Sequence, residues 1–222
     1  MAFSEDPEML ALAGKMEMRP DDETAIEMCQ NVLTLPILDK LTEYSELQAE
    51  GVRYVADYLV KLDSGELNSI FKGRLLLDIG MGIVGHSYGG PTTAIVCGDD
   101  DRFACGIGLD SGAFGLQGSD IKKPFLLLFS EPNYNMNAII GANNSMDTYY
   151  FSVDRAAHLD YCDIVFTSVN EELRANGMPW RCEILLQTIR RTFFDHYILQ
   201  KAASVESLAY DGVDLIKKTS NK

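Results

Sequence analysis

The chain is short of positive charge: 19 lysines and arginines stand against 33 aspartates and glutamates, and with three histidines taken as neutral the net charge is −14. Binding nucleic acid needs a basic face, so nucleic acid is excluded as an expected partner, and docking on anionic lipid is disfavoured. Long apolar runs are also missing. Stretches such as Pro124 to Phe129 fall far below the roughly 20 residues that span a bilayer, so no transmembrane segment is expected. The first residues, Met1-Ala2-Phe3-Ser4-Glu5-Asp6-Pro7-Glu8, are acidic and lack the basic and apolar regions of a secretory signal. Cysteine is sparse and scattered: Cys29, Cys97, Cys105, Cys162 and Cys182 form an odd set without C-x-x-C spacing. That pattern excludes a zinc site and a disulfide framework, and it predicts reduced thiols in a cytoplasmic protein with no bound metal. No tract is of low complexity and no period repeats.

The length of 222 residues and an apolar content of 46% predict one domain over 1–222 with a sizeable core. Its first seventy residues read as a helical lead-in. Asp21-Asp22-Glu23-Thr24 supplies caps and first-turn acids, and Ile26, Cys29 and Leu33 follow at helical spacing as far as Pro36. Val52, Val55, Tyr58, Leu59 and Leu62 form a second stripe that ends at Asp63-Ser64-Gly65 and predicts one face turned to the core. From 74 to about 170 the character changes to a sheet core. Leu75-Leu76-Leu77-Asp78 with Ile79 to Val84, Phe103 to Leu109, Phe125 to Phe129 and Tyr149 to Val153, the last strand expected, are apolar runs separated by helix and turn signals. Continuously apolar strands alternating with helices predict a parallel sheet covered on both faces, with chemistry at the carboxyl ends of the strands. From 180 to 218 the pattern reads as C-terminal helices, with Ile184, Leu185, Ile189, Phe193, Tyr197 and Ile198 as their apolar stripe.

The most specific stretch is Gly85-His86-Ser87-Tyr88-Gly89-Gly90, which follows an apolar run and leads into the helical Pro91-Thr92-Thr93-Ala94-Ile95-Val96. Strand, G-x-S-x-G, helix is the context of a nucleophile elbow, a turn so sharp that only small residues stand two positions either side of the serine. Such a turn lifts the Ser87 hydroxyl above the sheet and aims the backbone N–H of Tyr88 at an oxyanion. A serine nucleophile needs a base, and the base needs an orienting carboxylate. Three histidines compete for the first task. His86 adjoins the serine in sequence, with its side chain expected to point away. His196 lies in a helical pattern as a structural residue. His158 follows the last expected strand, in the chain order serine, acid, histidine. For the acid, Asp110 and Glu131 each end a strand at the same edge, and spacing leaves the choice between them open.

These segments together, Gly85 to Gly90, then Gly108-Leu109-Asp110-Ser111, Pro124-Phe125 to Ser130-Glu131, and His158-Leu159-Asp160-Tyr161-Cys162-Asp163, resemble the platelet-activating-factor acetylhydrolase family of α/β-hydrolases over roughly Val52 to Leu199. The resemblance implies an α/β-hydrolase fold, with Ser87 as nucleophile, Asp110 as the acid, His158 as the base and Tyr88 N–H as one oxyanion donor. Asp163 would then cap or brace a loop, and His196 would be structural. The implied reaction is calcium-independent hydrolysis of an ester with no cofactor, on phospholipids with short or oxidised acyl chains at the second position. A general carboxylesterase or lipase-like activity is the alternative, and a catalytically impaired remnant that acts as a binding protein is a third. The family's H-G motif ahead of the elbow, source of a second oxyanion N–H, has no counterpart, since no histidine precedes His86. The expected fold is therefore N-terminally incomplete, a short, mainly parallel sheet flanked by helices. Its uncovered edge would favour a homo-oligomer.

Overall fold

The computed structural model describes residues 7, 10, 11, 15, 22–112, 115, 116, 119–130, 137–163, 179–202, 204–209 and 212–220. Helices α1 (Asp22–Leu33) and α2 (Asp39–Ser64) precede the sheet, separated by a 3₁₀ turn at Pro36–Leu38. Pro36 cannot donate a helical hydrogen bond, so it opens the turn instead of extending α1. Gly65, at φ 82°, closes α2 in the left-handed conformation that glycine adopts without steric cost. Five strands follow in sheet order β1-β2-β3-β4-β5: β1 Met81–His86, β2 Phe103–Leu109, β3 Phe125–Ser130, β4 Thr148–Val153 and β5 Val213–Thr219. The first four run parallel and β5 is antiparallel to β4. The fold is α/β, with a mainly parallel sheet and helices on both faces.

Alternation along the central strands divides the core in two. Phe125, Leu127 and Phe129 of β3 point to the face covered by α1, α2, α3 (Gly89–Asp99) and α4 (Ala138–Asn143). Leu126 and Leu128 point to the face where Ile189 and Phe193 of α5 (Pro179–Tyr197) pack. Arg102, at the start of β2, ties α2 to the sheet, bonding Asp100 through Nη2 at 2.6 Å and Asp57 through Nη1 at 2.5 Å.

Four expectations are corrected. The helical reading of 180–218 holds only as far as Tyr197, and 213–219 is a strand. Val213 is buried and Leu215 half-buried, with the intervening Asp214 exposed, and the segment pairs with β4 from Val153 back to Thr148. Tyr149 to Val153 is consequently the fourth strand and not the last. Leu75 to Ile79 forms no strand; its residues enter a 3₁₀ turn at Leu77–Ile79, with Leu76 and Ile79 exposed. Finally, the α2 stripe does not face the core as a whole. Ser45, Ala49 and Ala56 are buried, whereas Val55 and Tyr58 are exposed. The reason is the position of β1: it ends the sheet, and among the described residues nothing pairs with its outer edge. Val52, Val55 and Leu59 instead line an apolar groove of about 850 Å³ with Leu76, Ile83 and Gly89.

Phe129 is fully buried and stacks on Tyr150 with centroids 6.0 Å apart. Phe129→Ala is expected to cost about 3–5 kcal/mol in denaturant unfolding, and a loss below about 1 kcal/mol would contradict this packing.

Candidate active site

The carboxyl ends of β1, β2 and β3 each deliver one polar residue. β1 ends at His86, and Ser87 follows at φ 54°, a left-handed conformation that a non-glycine residue holds only at a cost of roughly 1–3 kcal/mol. Two bonds fix this turn: Ser87 N–H donates to the Leu109 carbonyl at 2.9 Å, and Gly90 N–H donates to the Ser87 carbonyl at 3.1 Å. Tyr88, whose N–H is the expected oxyanion donor, is the N-cap of α3, so the positive end of the helix dipole lies beside the serine. A methyl group at Gly85 would run into the Gly89 carbonyl, and one at Gly90 into the Ser111 side chain. Gly89 differs: a methyl there meets nothing within 4 Å, because that side of the elbow opens on the groove. The steric demand of the elbow thus falls on Gly85 and Gly90 and not on Gly89, which corrects the expectation of one small residue either side.

Asp110 follows β2, also at positive φ (42°), with its side chain withdrawn from solvent. Its Oδ1 accepts from Ser130 N–H at 2.8 Å and from Ser130 Oγ–H at 2.6 Å. Its Oδ2 accepts from His158 Nδ1–H at 2.7 Å. With that proton on Nδ1, the other ring nitrogen is the acceptor, and His158 Nε2 stands 3.0 Å from Ser87 Oγ. The hydrogen bond and negative charge of Asp110 raise the His158 pKa above the ordinary imidazole value, against an opposing push from partial burial. Ser87, Asp110 and His158 are brought together, therefore, with the carboxylate dry and the imidazole half-exposed.

The remaining candidates fall elsewhere. Glu131, the alternative acid, lies outside the described residues. Its neighbour Ser130, which the sequence offers only as a strand end, bonds Asp110 beside His158. His86 does not reach the serine; its Nε2–H donates to the backbone carbonyl of His158 at 2.8 Å, and the two rings lie 4.6 Å apart. His196 sits in α5, edge-on to Tyr197 with centroids 4.6 Å apart. Asp160 is buried and accepts from Ala157 N–H at 2.9 Å, so it braces this loop, and Asp163 follows at an exposed position. Cys29 and Cys105 are buried with thiol pKa values pushed up to about 11 and about 12, and neither has the character of a nucleophile. Among the described residues, no cluster of three or more histidines, cysteines or acids could hold a metal ion, and no helix is long and apolar enough to cross a membrane.

Residues 59–172, just over half of the chain, match the family described as platelet-activating factor acetylhydrolase, isoform II. The chain belongs to this family. The matched span contains Ser87, Asp110 and His158 and ends before α5. Among solved structures the chain is similar to a ferulic acid esterase from Streptomyces cinnamoneus, with 21% identity and a TM-score of 0.61. That alignment covers 80% of this chain and 56% of the esterase chain, so this acetylhydrolase-family chain spans little more than half the length of the structure it matches. The likeness shows the α/β-hydrolase fold. No curated protein matches the sequence.

The two elbow glycines separate in a stability measurement. Gly85→Ala is expected to destabilise by about 1–3 kcal/mol or more, because backbone must move. Gly89→Ala is expected to be neutral or slightly stabilising, since it fills open space at a helix start. Equal thermal shifts for the two variants would contradict the elbow geometry.

Proposed function

We propose that the protein is a serine ester hydrolase in which Ser87 attacks the carbonyl, His158 acts as base and then acid, and Asp110 orients and stabilises the imidazolium. The observation that carries this reading is the relay itself, 3.0 Å from Ser87 Oγ to His158 Nε2 and 2.7 Å from His158 Nδ1 to Asp110. The distances suit proton transfer in a resting site. Attack moves the hydroxyl proton to Nε2 as the serine–carbonyl bond forms. Collapse of the tetrahedral intermediate expels the alcohol, which takes that proton, and water then repeats the sequence on the acyl-enzyme. Tyr88 N–H would carry part of the oxyanion charge, helped by the α3 dipole. No cofactor or metal enters these steps.

Within that class we favour phospholipids with short or oxidised acyl chains at the second position, which family membership supports. The apolar groove reaching Gly85 and Gly89 suits an apolar substrate portion, and it equally suits a carboxylesterase acting on simpler esters. The 3.0 Å separation of serine and imidazole speaks against a catalytically silent remnant.

The test is hydrolysis of a short-chain p-nitrophenyl ester together with labelling by a fluorophosphonate. The wild type is expected to turn over the ester and to be labelled stoichiometrically. Ser87→Ala should lose labelling and about 10⁴–10⁶-fold in rate, and Asp110→Asn about 10⁴-fold. Removing the Asp110 charge should also move the acidic limb of the pH–rate profile downward, because the base must be neutral and Asp110 is what raises its pKa. Equal rates for wild type and Ser87→Ala would sink the reading, and a panel of acyl-chain lengths and phospholipid headgroups separates the two substrate classes.

A further inference from the structure

The hydrogen bond from His86 to the backbone of His158 has no part in the relay described above. We infer that His86 is a positioning residue: its side-chain N–H clamps the His158 carbonyl to the strand that carries the nucleophile, so that the His158 ring stays aligned between Ser87 and Asp110. The inference rests on the hydrolase reading and concerns a residue which that reading leaves without a role.

The loop that carries His158 is anchored by Tyr161, which is buried in the core, and by the bonds of the His158 ring to Ser87 and Asp110. His158 lies five positions beyond the end of β4, in a 3₁₀ turn over His158–Tyr161. Several backbone bonds hold the loop to itself: Ala156 N–H to the Val153 carbonyl at 3.2 Å, Asp160 N–H to the Ala157 carbonyl at 3.0 Å and Cys162 N–H to the Leu159 carbonyl at 3.2 Å. Another, Asp154 N–H to the Gly212 carbonyl at 3.0 Å, ties it towards β5, on the side of β4 away from the elbow. These bonds fix the shape of the turn, and the ring bonds to Ser87 and Asp110 hold the side chain of His158. His86 adds a bond to the His158 backbone. Its side chain leaves the last residue of β1, immediately before Ser87, and Nε2–H reaches the His158 carbonyl at 2.8 Å. The bond therefore joins the backbone of the base to the strand of the nucleophile across 72 residues of sequence.

Charge favours the same role. The groups facing His86 are the His158 ring, at 4.6 Å between centroids and tilted by 39°, the Tyr161 ring at 6.2 Å, and the Asp110 carboxylate beyond His158. Burial, together with repulsion from a charged His158, lowers the His86 pKa. A neutral His86 keeps one N–H, sufficient for the clamp, and places no second positive charge beside the imidazolium that forms at His158 in each turnover. A lysine or arginine could donate the same bond but would oppose that imidazolium.

Two variants test the clamp. His86→Phe keeps an aromatic ring and removes the donor, and His86→Gln keeps a donor without a ring. Loss of alignment in His86→Phe is expected to lower kcat on the p-nitrophenyl ester by roughly tenfold to a hundredfold with KM little changed, whereas His86→Gln should retain activity within a few-fold. A readout free of turnover accompanies this: the proton NMR signal of His158 Nδ1–H, hydrogen-bonded to Asp110, should persist in Ser87→Ala and in His86→Gln and should broaden or vanish in His86→Phe. Thermal melting of each variant confirms that it is folded. If folded His86→Phe keeps both its kcat and its Nδ1–H signal, or if His86→Gln loses them to the same extent, the clamp is overturned. Failure of the hydrolase reading shows differently, as an unchanged rate in Ser87→Ala, and the NMR signal still judges the clamp in that event.

Discussion

The side chain of Asp110 has no access to water, and a carboxylate in that position is tolerable only where donors replace its hydration. Among the described residues Ser130 N–H and Ser130 Oγ–H do so on Oδ1, and His158 Nδ1–H on Oδ2. Each donor belongs to a different part of the fold from the acid itself. Asp110 follows β2, Ser130 ends β3 and His158 follows β4, so satisfying one buried charge sets three neighbouring strand ends in register at the same edge. The same constraint fixes the imidazole tautomer, because the proton directed at Oδ2 leaves Nε2 to accept from Ser87. Pairing of the parallel strands, the dry carboxylate and the direction of the histidine ring are thus one arrangement.

The elbow is held from the inner side of β1. Ser87 N–H bonds the Leu109 carbonyl on β2, and Gly85 is pressed against the Gly89 carbonyl at the start of α3. The outer side is different. β1 ends the sheet there, Gly89 has space beside it, and Val55 and Leu59 of α2 line a groove that Val52 borders from the margin of the core. Apolar side chains at helical spacing, bounded by exposed Tyr54 and Tyr58, are what a covered face requires; their exposure follows from the strand order and not from the composition of α2.

Much of this is legible in the sequence where the signal is local. Runs such as Phe125 to Phe129 announce buried parallel strands because every position must be apolar when both faces are covered. The elbow is legible because a serine set between glycines, with a strand before it and a helix after it, fits little else than so sharp a turn. The choice of Asp110 over Glu131 is not legible from spacing, since both end strands at the same edge; the family resemblance favours Asp110. Ser130 escapes notice as a partner because a serine at a strand end has no pattern of its own, and its value lies entirely in facing Asp110 across one strand spacing. The segment 213–219 is read with the C-terminal helices although their apolar stripe, Ile184 to Ile198, does not reach it. Its strand form depends on β4 offering an edge, which is tertiary information. His86 is expected to point away from Ser87, and it does avoid the hydroxyl. Its partner, a backbone carbonyl 72 residues later, is of a kind that side-chain patterns do not encode.

These differences share a cause that bears on how the site tolerates the open edge. The bonds of the relay and of its support join the ends of β1, β2, β3 and β4 or the loops that follow them, on the inner side of the serine. None crosses the groove. The hydrogen-bonded line of Ser87, His158 and Asp110 is therefore geometrically independent of whatever faces the outer edge of β1. In the proposed reaction the oxyanion would be met by Tyr88 N–H and the positive end of α3, whose first residue, Gly89, lines the groove. Loss of one oxyanion donor typically costs about 2.7–4 kcal/mol. A site built in this way can keep an activated serine while its turnover stays sensitive to the groove, so labelling of Ser87 and catalytic rate report on two different parts of the molecule.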